Sequence, residues 1–375
     1  MRKILIDATY IQKDRLFDAV SIYIFRLLKV IPSEEIPYYK LLVLPEIELY
    51  IKKKFPEFQY ITYNPYKKSF LSGRLSAYIK SYHAYKKAVN RSNCDILFVP
   101  DNYIMFTCAK VHLPKIEVIH DIPQLDLIPR FSFASITNRI YYKLLHKNAS
   151  KLIAISNFTK QDILKHFKYY KENEIKVVYN SIEPIKEEKC PKIITGFNKP
   201  FILYVNALKK YKNLITLIKA FCLIKDKTNS SIVIVGRETD YWKREIVPLI
   251  KKQGIENRII HLQNIPNEEL KYLYCHASLF VTTSTMEGFG YTPIEAAMNM
   301  CPVISTKVKA LPDTTMNLLN YYDPPTDEYV LAKKMLEQLS SSKDINKLKN
   351  ISEAFKERYS PKKQYDQFKE IFNSL

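Results

Sequence analysis

Two carboxylates stand eight residues apart in the stretch STMEGFGYTPIEAA, Ser284 to Ala297, with Gly288 and Gly290 between them. Carboxylates at a strand exit can accept hydrogen bonds from something bound, and exposed amides at a helix start suit phosphate or sugar oxygens. The chain keeps only six glycines, where average usage of about 7% would give roughly 26. Those that remain answer a backbone need, either a turn into a helix or the close approach of something bound. LFVTTS reads as a strand, EGFGY as a loop and TPIEAAMNM as a helix start, with Thr292 as N-cap, Pro293 in the first helical position and Glu295 completing a capping box. That cap would stabilise the helix by about 1 kcal/mol and explain Glu295 without a ligand. It does not explain Glu287, which leaves a strand beside two glycines, and strand-exit loops are where α/β proteins bind ligands.

The elements that must hold these residues repeat along the chain. Apolar runs rich in β-branched residues, KILIDA, KLLVL, DILFVP, IEVIHD, KLIAIS and KVVYN, alternate with helical patterns. After Asn180 the polar, proline-containing SIEPIKEEKCPKIITGFNKP interrupts them, and FILYVNAL, SIVIVG, RIIHL, LFVTTS and PVIST then alternate with helices such as LITLIKAFCLI and NEELKYLYCHA. This predicts an α/β protein of two Rossmann-like doubly wound domains in series, with strand C-terminal ends facing a central cleft. The expected division is 1–183, a linker at 184–199, 200–350, and a C-terminal helical segment at 351–375 that packs back on the first domain.

Composition narrows the function classes. Of 375 residues, 47% are apolar and 26% charged, which describes a folded chain with sizeable cores rather than a disordered one. No apolar run reaches the roughly 18 to 20 residues of a membrane span, and MRKILIDATYI meets Asp7 too early for a signal-peptide core, so a cytoplasmic chain is expected. Cys94, Cys108, Cys190, Cys222, Cys275 and Cys301 show no metal-ligand spacing and are read as reduced and mostly buried. Residues 1–180 hold 29 Lys and Arg against 16 Asp and Glu, so +13 of the formal +20 lies there. Such a field attracts phosphates, whether on nucleic acid, anionic lipid or substrate.

Within that basic half, Leu71, Leu75, Tyr78, Ile79, Tyr82, Tyr85 and Val89 recur at helical spacing, with Arg74, Lys80, Lys86, Lys87 and Arg91 mostly on other faces. Just before them, Lys52, Lys53, Lys54, Lys67 and Lys68 mix with Phe55, Phe58, Tyr60, Tyr63 and Tyr66. A core-facing helix with a solvated back explains this pattern, and so does docking on an anionic membrane surface. No nucleic-acid recognition module appears, so nucleic acid is not an expected partner.

EGFGYTPIEAA resembles the paired-glutamate signature of the family 4 retaining glycosyltransferases, which have the GT-B fold. Other segments agree in order: IEVIHD with the family's strand ending in His-Asp, ASKLIAISNFTKQDILKHF and KVVYNSI with a consecutive pair of its motifs, FILYVNALKKYKNLITLIKAF, and MCPVISTKVKALPDT. The resemblance implies that Glu295 holds the donor's ribose hydroxyls. It places Glu287 near the donor hexose, with the backbone amides of Gly288, Phe289, Gly290 and Tyr291 on sugar and diphosphate. Lys212 matches the lysine that balances the leaving diphosphate, a fixed cation that can meet this need without a metal. His120 and Asp121 match the pair facing the donor sugar, and Ile265 lies in the loop similar to the one packed on the nucleobase.

The implied reaction moves a hexose from a nucleotide diphosphate sugar to a hydroxyl with retention. Two flanking carboxylates would also suit double displacement, whereas the resemblance favours front-face attack, the departing phosphate helping to take the acceptor proton. Mannose from a GDP donor is the first expectation, with UDP-linked sugars next. The acceptor is expected to be a lipid-linked glycan of bacterial lipopolysaccharide or capsule synthesis, reached from the inner membrane face, with no cofactor and no metal.

Several positions depart from the family pattern. The glycine-rich N-terminal loop is DAVSIY at Asp18 to Tyr23, a family glycine is Asn206, and the arginine expected before Lys212 is Tyr211. Arginine's planar fork is not replaced geometrically by lysine, although Lys209 and Lys210 stand near enough to supply charge. These losses leave open a non-catalytic partner or glycan-binding protein of the same fold, or a nucleotide-sugar epimerase.

Overall fold

The computed structural model describes residues 2–16, 18–66, 74–101, 110–122, 129, 132–192 and 200–375. Lys67, Lys68, Leu71 and Cys108, and the side chains of Arg74, Leu75 and Tyr78, lie outside the described set. The chain divides into two units, Met1–Ser181 with Pro361–Leu375, and Ile182–Ser360.

The first unit runs β1 (Ile4–Asp7), α1 (Ala19–Val30), β2 (Tyr39–Val43), α2 (Pro45–Lys54), β3 (Gln59–Thr62), α3 (Arg74–Asn90), β4 (Ile96–Val99), β5 (Lys115–Ile119), α4 (Phe133–Asn148), β6 (Lys151–Ala154), α5 (Asn157–His166) and β7 (Ile175–Val177). Its strands form one parallel sheet in the order β3-β2-β1-β4-β5-β6-β7. The inner strands are apolar without alternation because helices cover both faces, and every residue of β1, β4 and β5 is buried. Three of those residues are charged. Asp7 accepts from the Thr9 hydroxyl at 2.6 Å and from Tyr85 of α3 at 2.6 Å, and Glu117 accepts from Tyr141 of α4 at 2.8 Å with Lys115 at 3.4 Å. Burial raises the pKa of both carboxyls, so these bonds are what make them tolerable inside the sheet.

The second unit runs β8 (Phe201–Val205), α6 (Leu214–Ile224), β9 (Ser231–Val235), α7 (Val247–Lys252), β10 (Ile259–Leu262), α8 (Asn267–His276), β11 (Leu279–Val281), α9 (Tyr291–Met298), β12 (Val303–Thr306), α10 (Leu311–Thr314), β13 (Asn320–Tyr322), α11 (Glu328–Ser340) and α12 (Ile345–Arg358). Its parallel sheet has the order β10-β9-β8-β11-β12-β13. On α6 the apolar spacing puts Leu214, Leu217, Ile218, Phe221 and Ile224 in the core, each contributing about 2 kcal/mol by burial. Phe221→Ala would therefore cost about 3 to 5 kcal/mol. Strand order reverses direction between β8 and β11, which makes the ends of those two strands the unit's switch point.

The last helix, α13 (Pro361–Asn373), belongs with the first unit. Phe368 and Phe372 place their rings 5.0 and 5.3 Å from Phe98 of β4, and Tyr365 shares a 2.9 Å bond with Tyr39. The segment before it, through α12, stays with the second unit. Residues 184–191 carry no helix or strand and are tied to α8, where Lys189 donates its amide to Glu268 and Lys271 donates to the Lys186 carbonyl.

Three readings of the sequence change. β3 and β13, at sheet edges and half-exposed, were too short and polar to stand out as QYIT and NYY. On α3 the buried face is Ala77, Ser81, Tyr85, Ala88 and Val89, and Ile79 turns outward. Of the described cysteines only Cys94 and Cys301 are buried, while Cys190, Cys222 and Cys275 are half-exposed; all are free thiols.

Candidate functional site

The loops leaving β8 and β11 are stitched together at the switch point. Past β8 the chain makes a short 3-10 turn, Lys210–Lys212, then a left-handed residue, Asn213, with φ of 55°. The Lys212 carbonyl accepts from Tyr204 at 2.9 Å and from Thr283 at 3.0 Å, and the Tyr211 carbonyl accepts from the Thr285 amide at 2.9 Å. Residues from β8, from its loop and from the β11 exit thereby fix the backbone on which Lys212 stands. The neighbouring strand end is equally tight. A Cβ on Gly236, after β9, would lie 2.2 Å from the Asn206 carbonyl oxygen, so only glycine fits there.

From this frame Lys212 reaches Glu287 at 2.6 Å, with only 12% and 10% of the two side chains exposed. Ser284, fully buried, donates to the same carboxylate oxygen at 2.8 Å, and Asn206 approaches Ser284 at 3.5 Å. One carboxylate oxygen is thus held by a cation and a hydroxyl, which fixes the side chain without filling its capacity to accept.

Glu287 leads into α9, and here the helix begins earlier than the sequence predicts. Gly290 is the N-cap, with φ of 86°, and no side chain caps the helix. Thr292 and Pro293 lie inside the first turn, so Glu295 is not half of a capping box. Its carboxylate instead accepts from Tyr274 of α8 at 3.1 Å. Burial raises the Tyr274 pKa well above its ordinary value, with the Glu295 charge adding to it, so the phenol stays a donor. Glu295 thus caps no helix in this structure; its partner is a side chain from another helix.

Gly290 also answers part of the glycine question differently. A left-handed φ with a Cβ 2.4 Å from Leu311 is an internal reason for glycine, independent of anything bound. Gly288 is not among the described glycines with a positive φ. Phe289 is buried with its ring 5.5 Å from Tyr359, and its carbonyl accepts from Thr314 at 2.6 Å. Among the described residues the amides of Gly288, Phe289 and Gly290 find no hydrogen-bond acceptor, as expected of groups ahead of a helix's first turn. Phe289 is therefore a core anchor for the loop ahead of α9.

The other predicted residues are placed as follows. Lys209 is exposed at the start of the 3-10 turn, and Lys210 pairs with Glu245 at 3.5 Å. Tyr211, where an arginine was expected, sets its ring 5.1 Å from the Lys212 ammonium, a cation–π contact in place of a second phosphate fork. Ile265 is half-buried in the loop between β10 and α8. His120 follows β5 in the first unit, is buried against Tyr23 edge-on at 4.9 Å, and bonds the Pro100 carbonyl through Nε2 at 2.9 Å. A carbonyl only accepts, so Nε2 carries the proton. Burial lowers the His120 pKa to about 4, which keeps the ring neutral near pH 7. Asp121 is exposed beside it.

Sequence reasoning did not assign Ser284, Asn206 or Tyr274. Ser284 stood in the quoted stretch, and Asn206 was noted only as a missing glycine. Tyr274 carried no signal, because only the packing of α8 on α9 brings it to Glu295.

Comparison with known proteins agrees with this fold. A family model described as "Glycosyl transferases group 1" matches residues 186–358, and one described as "Glycosyltransferase Family 4" matches residues 47–185. The O-antigen chain mannosyltransferase RfbU of Salmonella typhimurium is 28% identical over 219 residues, which is 57% of this chain and 60% of that protein. O-antigen chain mannosyltransferase B of Escherichia coli is 25% identical over 231 residues, 58% of this chain and 60% of that protein. The matched stretch thus spans about 60% of the length of these relatives. Among solved structures, Anabaena HepE in complex with UDP and glucose superposes with a TM-score of 0.78 at 16% identity, covering 100% of both chains. Sucrose-phosphate synthase from Thermosynechococcus elongatus gives 0.72 at 16% identity, covering 100% of this chain and 99% of that one. The architecture is accordingly GT-B. With the two family models in series across residues 47–358, the chain is a glycosyltransferase built of a family 4 domain followed by a group 1 domain.

Proposed function

We propose that the protein is a retaining hexosyltransferase that moves a hexose, mannose first, from a nucleotide diphosphate sugar to a hydroxyl of a lipid-linked glycan in bacterial cell-surface polysaccharide synthesis. The observation that carries this reading is the Lys212–Glu287 pair, at 2.6 Å and nearly enclosed, with Glu287 in the same loop as the amides that precede α9, for which the described residues offer no acceptor. A diphosphate entering at the switch point meets one fixed cation and a row of donors. Charge that develops on the leaving group is met by groups already in place, which is the most effective form of such stabilisation.

In the proposed step the bond from the anomeric carbon to the diphosphate oxygen breaks. The acceptor oxygen bonds that carbon from the same face, and its proton passes to the departing phosphate. Glu287, anchored through Ser284 and Lys212, orients hexose hydroxyls and steadies the positive charge at the anomeric carbon. Glu295, held by Tyr274, takes the ribose hydroxyls. His120, neutral and oriented by Pro100, serves as a hydrogen-bonding wall rather than as an acid. Lys209 and Ile265 complete the donor contacts at phosphate and base.

GDP is preferred as the donor nucleotide because the named relatives are mannosyltransferases. UDP is the second reading, favoured by HepE, which was crystallised with UDP and with UDP-glucose. The reaction needs no metal in this reading, since Lys212 supplies the cation. The test is transfer from labelled GDP-mannose or a UDP-sugar to a membrane lipid extract, with and without a chelator. Chelator-resistant label in the lipid fraction, with the anomeric configuration retained, is the expected result. A free epimerised nucleotide sugar, or no turnover by protein that binds nucleotide, would overturn it.

A further inference from the structure

The helix α4 carries an outward apolar stripe that the described residues leave exposed. Phe133, Ile136, Ile140 and Leu144 are 84%, 45%, 53% and 42% exposed, and their spacing of three and four residues puts them on one face. The opposite face is anchored. Ser135, Tyr141, Tyr142 and Leu145 are buried, Tyr142 stacks on Phe167 at 4.4 Å, and Tyr141 bonds the buried Glu117. Ser132 caps the start by accepting from the Ser135 amide at 3.2 Å. This is a fixed helix whose exposed face is apolar by sequence, and an exposed apolar row of this length is the mark of an interface.

The charge beside the stripe identifies what covers it. Lys143 and Lys147 are exposed next to it, with Arg139 further round the same flank, and the sixteen residues of α4 contain no Asp or Glu. An apolar stripe flanked by cations alone, on a half-chain carrying +13, matches the interface of an anionic bilayer, where apolar side chains enter the acyl boundary and cations meet headgroup phosphates. Right-handed crossovers place α3 on the same face of the sheet as α4, and α3 exposes Ile79, Lys80 and Lys87. By the same rule α2, with its Lys52, Lys53 and Lys54, lies on the other face.

We infer that α4, not the lysine-rich end of α2, is the element that docks this protein on an anionic lipid surface. The inference rests on the proposed lipid-linked acceptor for its purpose and on the helix itself for its evidence. It also gives the basic half of the chain a directed role, since the site acts on a substrate held in the membrane.

The test is flotation of the full-length protein with vesicles of phosphatidylethanolamine and phosphatidylglycerol, against vesicles of phosphatidylcholine alone, at low and high salt. The wild type should float with the anionic vesicles at low salt. Ile136→Glu with Ile140→Glu should weaken binding at least tenfold. Lys143→Glu with Lys147→Glu, at surface positions, should weaken it by about 25-fold or more, since each basic residue near the surface is worth about fivefold. Lys52→Glu with Lys53→Glu should bind within about threefold of wild type. Equal binding by all variants, or selective loss in the α2 variant, would overturn the assignment. So would a wild-type dimer that does not float and that the Ile136 and Ile140 changes dissociate, because the stripe would then belong to a second copy. Nucleotide titration of the same variants separates the two readings: flotation without nucleotide binding keeps the docking helix and removes the proposed function, and the reverse does the opposite.

Discussion

Replacing Glu287 by Gln preserves the shape and the Ser284 contact but removes the charge that Lys212 faces. At 2.6 Å two unit charges attract by about 6 kcal/mol at an effective dielectric of about 20. Desolvation opposes most of that. Removing one partner of an enclosed pair usually destabilises by about 3 to 5 kcal/mol, and with roughly a tenth of each side chain exposed the lower figure is expected. The functional consequence points the other way for binding. In the wild type Glu287 competes with a diphosphate for the same ammonium, so in Glu287→Gln nucleotide affinity should hold or tighten by up to about tenfold, or 1.4 kcal/mol. Transfer at saturating donor should fall by about 10² to 10³, the effect of losing one preorganised electrostatic group. Calorimetric titration with GDP and UDP, initial rates with the sugar conjugates, and a denaturant midpoint on the same sample give all three quantities. A parallel loss of nucleotide affinity and transfer would refute the reasoning, because Glu287 would then belong to binding or folding. Transfer within threefold of the wild type would refute it from the other side.

Further outcomes separate the remaining roles. Glu295→Gln should weaken nucleotide binding by about tenfold or more, through loss of charge-assisted bonds, while kcat at saturating donor stays within a few-fold; an unchanged dissociation constant in calorimetry would remove Glu295 from the donor. Gly290→Ala should destabilise the second unit by about 1 to 2 kcal/mol through its left-handed backbone alone, measurable as a lowered urea midpoint, and an unchanged midpoint would contradict the φ of 86°. His120 has a folded pKa lowered to about 4, so the unfolded chain binds the extra proton first. Stability from this group is full above the unfolded value of about 6.5 and is lost as pH falls toward 4, about 2 kcal/mol by pH 5. His120→Asn should flatten the urea midpoint of the first unit between pH 7 and pH 5, and an equally steep dependence in the variant would show that another group titrates.

How much of this was legible depended on how local each feature is. The inner strands declared themselves because helices bury both faces and leave runs such as ILFV and FILYV with no polar interruption. The edge strands did not, since QYIT has no buried residue, NYY buries only Tyr322, and both have too few residues for alternation to show. The Lys212 and Glu287 loops could be placed at strand ends from sequence, but their meeting depends on β8 and β11 being neighbours across the switch point. The capping box failed for a physical reason: Gly290 takes the left-handed N-cap position and starts the helix before Thr292 can cap it. The α4 stripe was hidden because FASITNRIYYKLL is apolar around much of its circumference, and only the sheet beneath decides that Tyr141 is inside and Ile140 outside. The basic residues of the first half were read as one field; the fold divides them between two faces.

The most direct measurement of the central claim is calorimetric titration of the purified chain with GDP and UDP, each alone and as sugar conjugates, without added metal. The account predicts one site per chain, selective for one nucleotide, weakened by Lys212→Met and retained in Glu287→Gln. A folded protein that binds none of them would contradict it, because the Lys212 cation and the amides before α9 would then have no donor to receive.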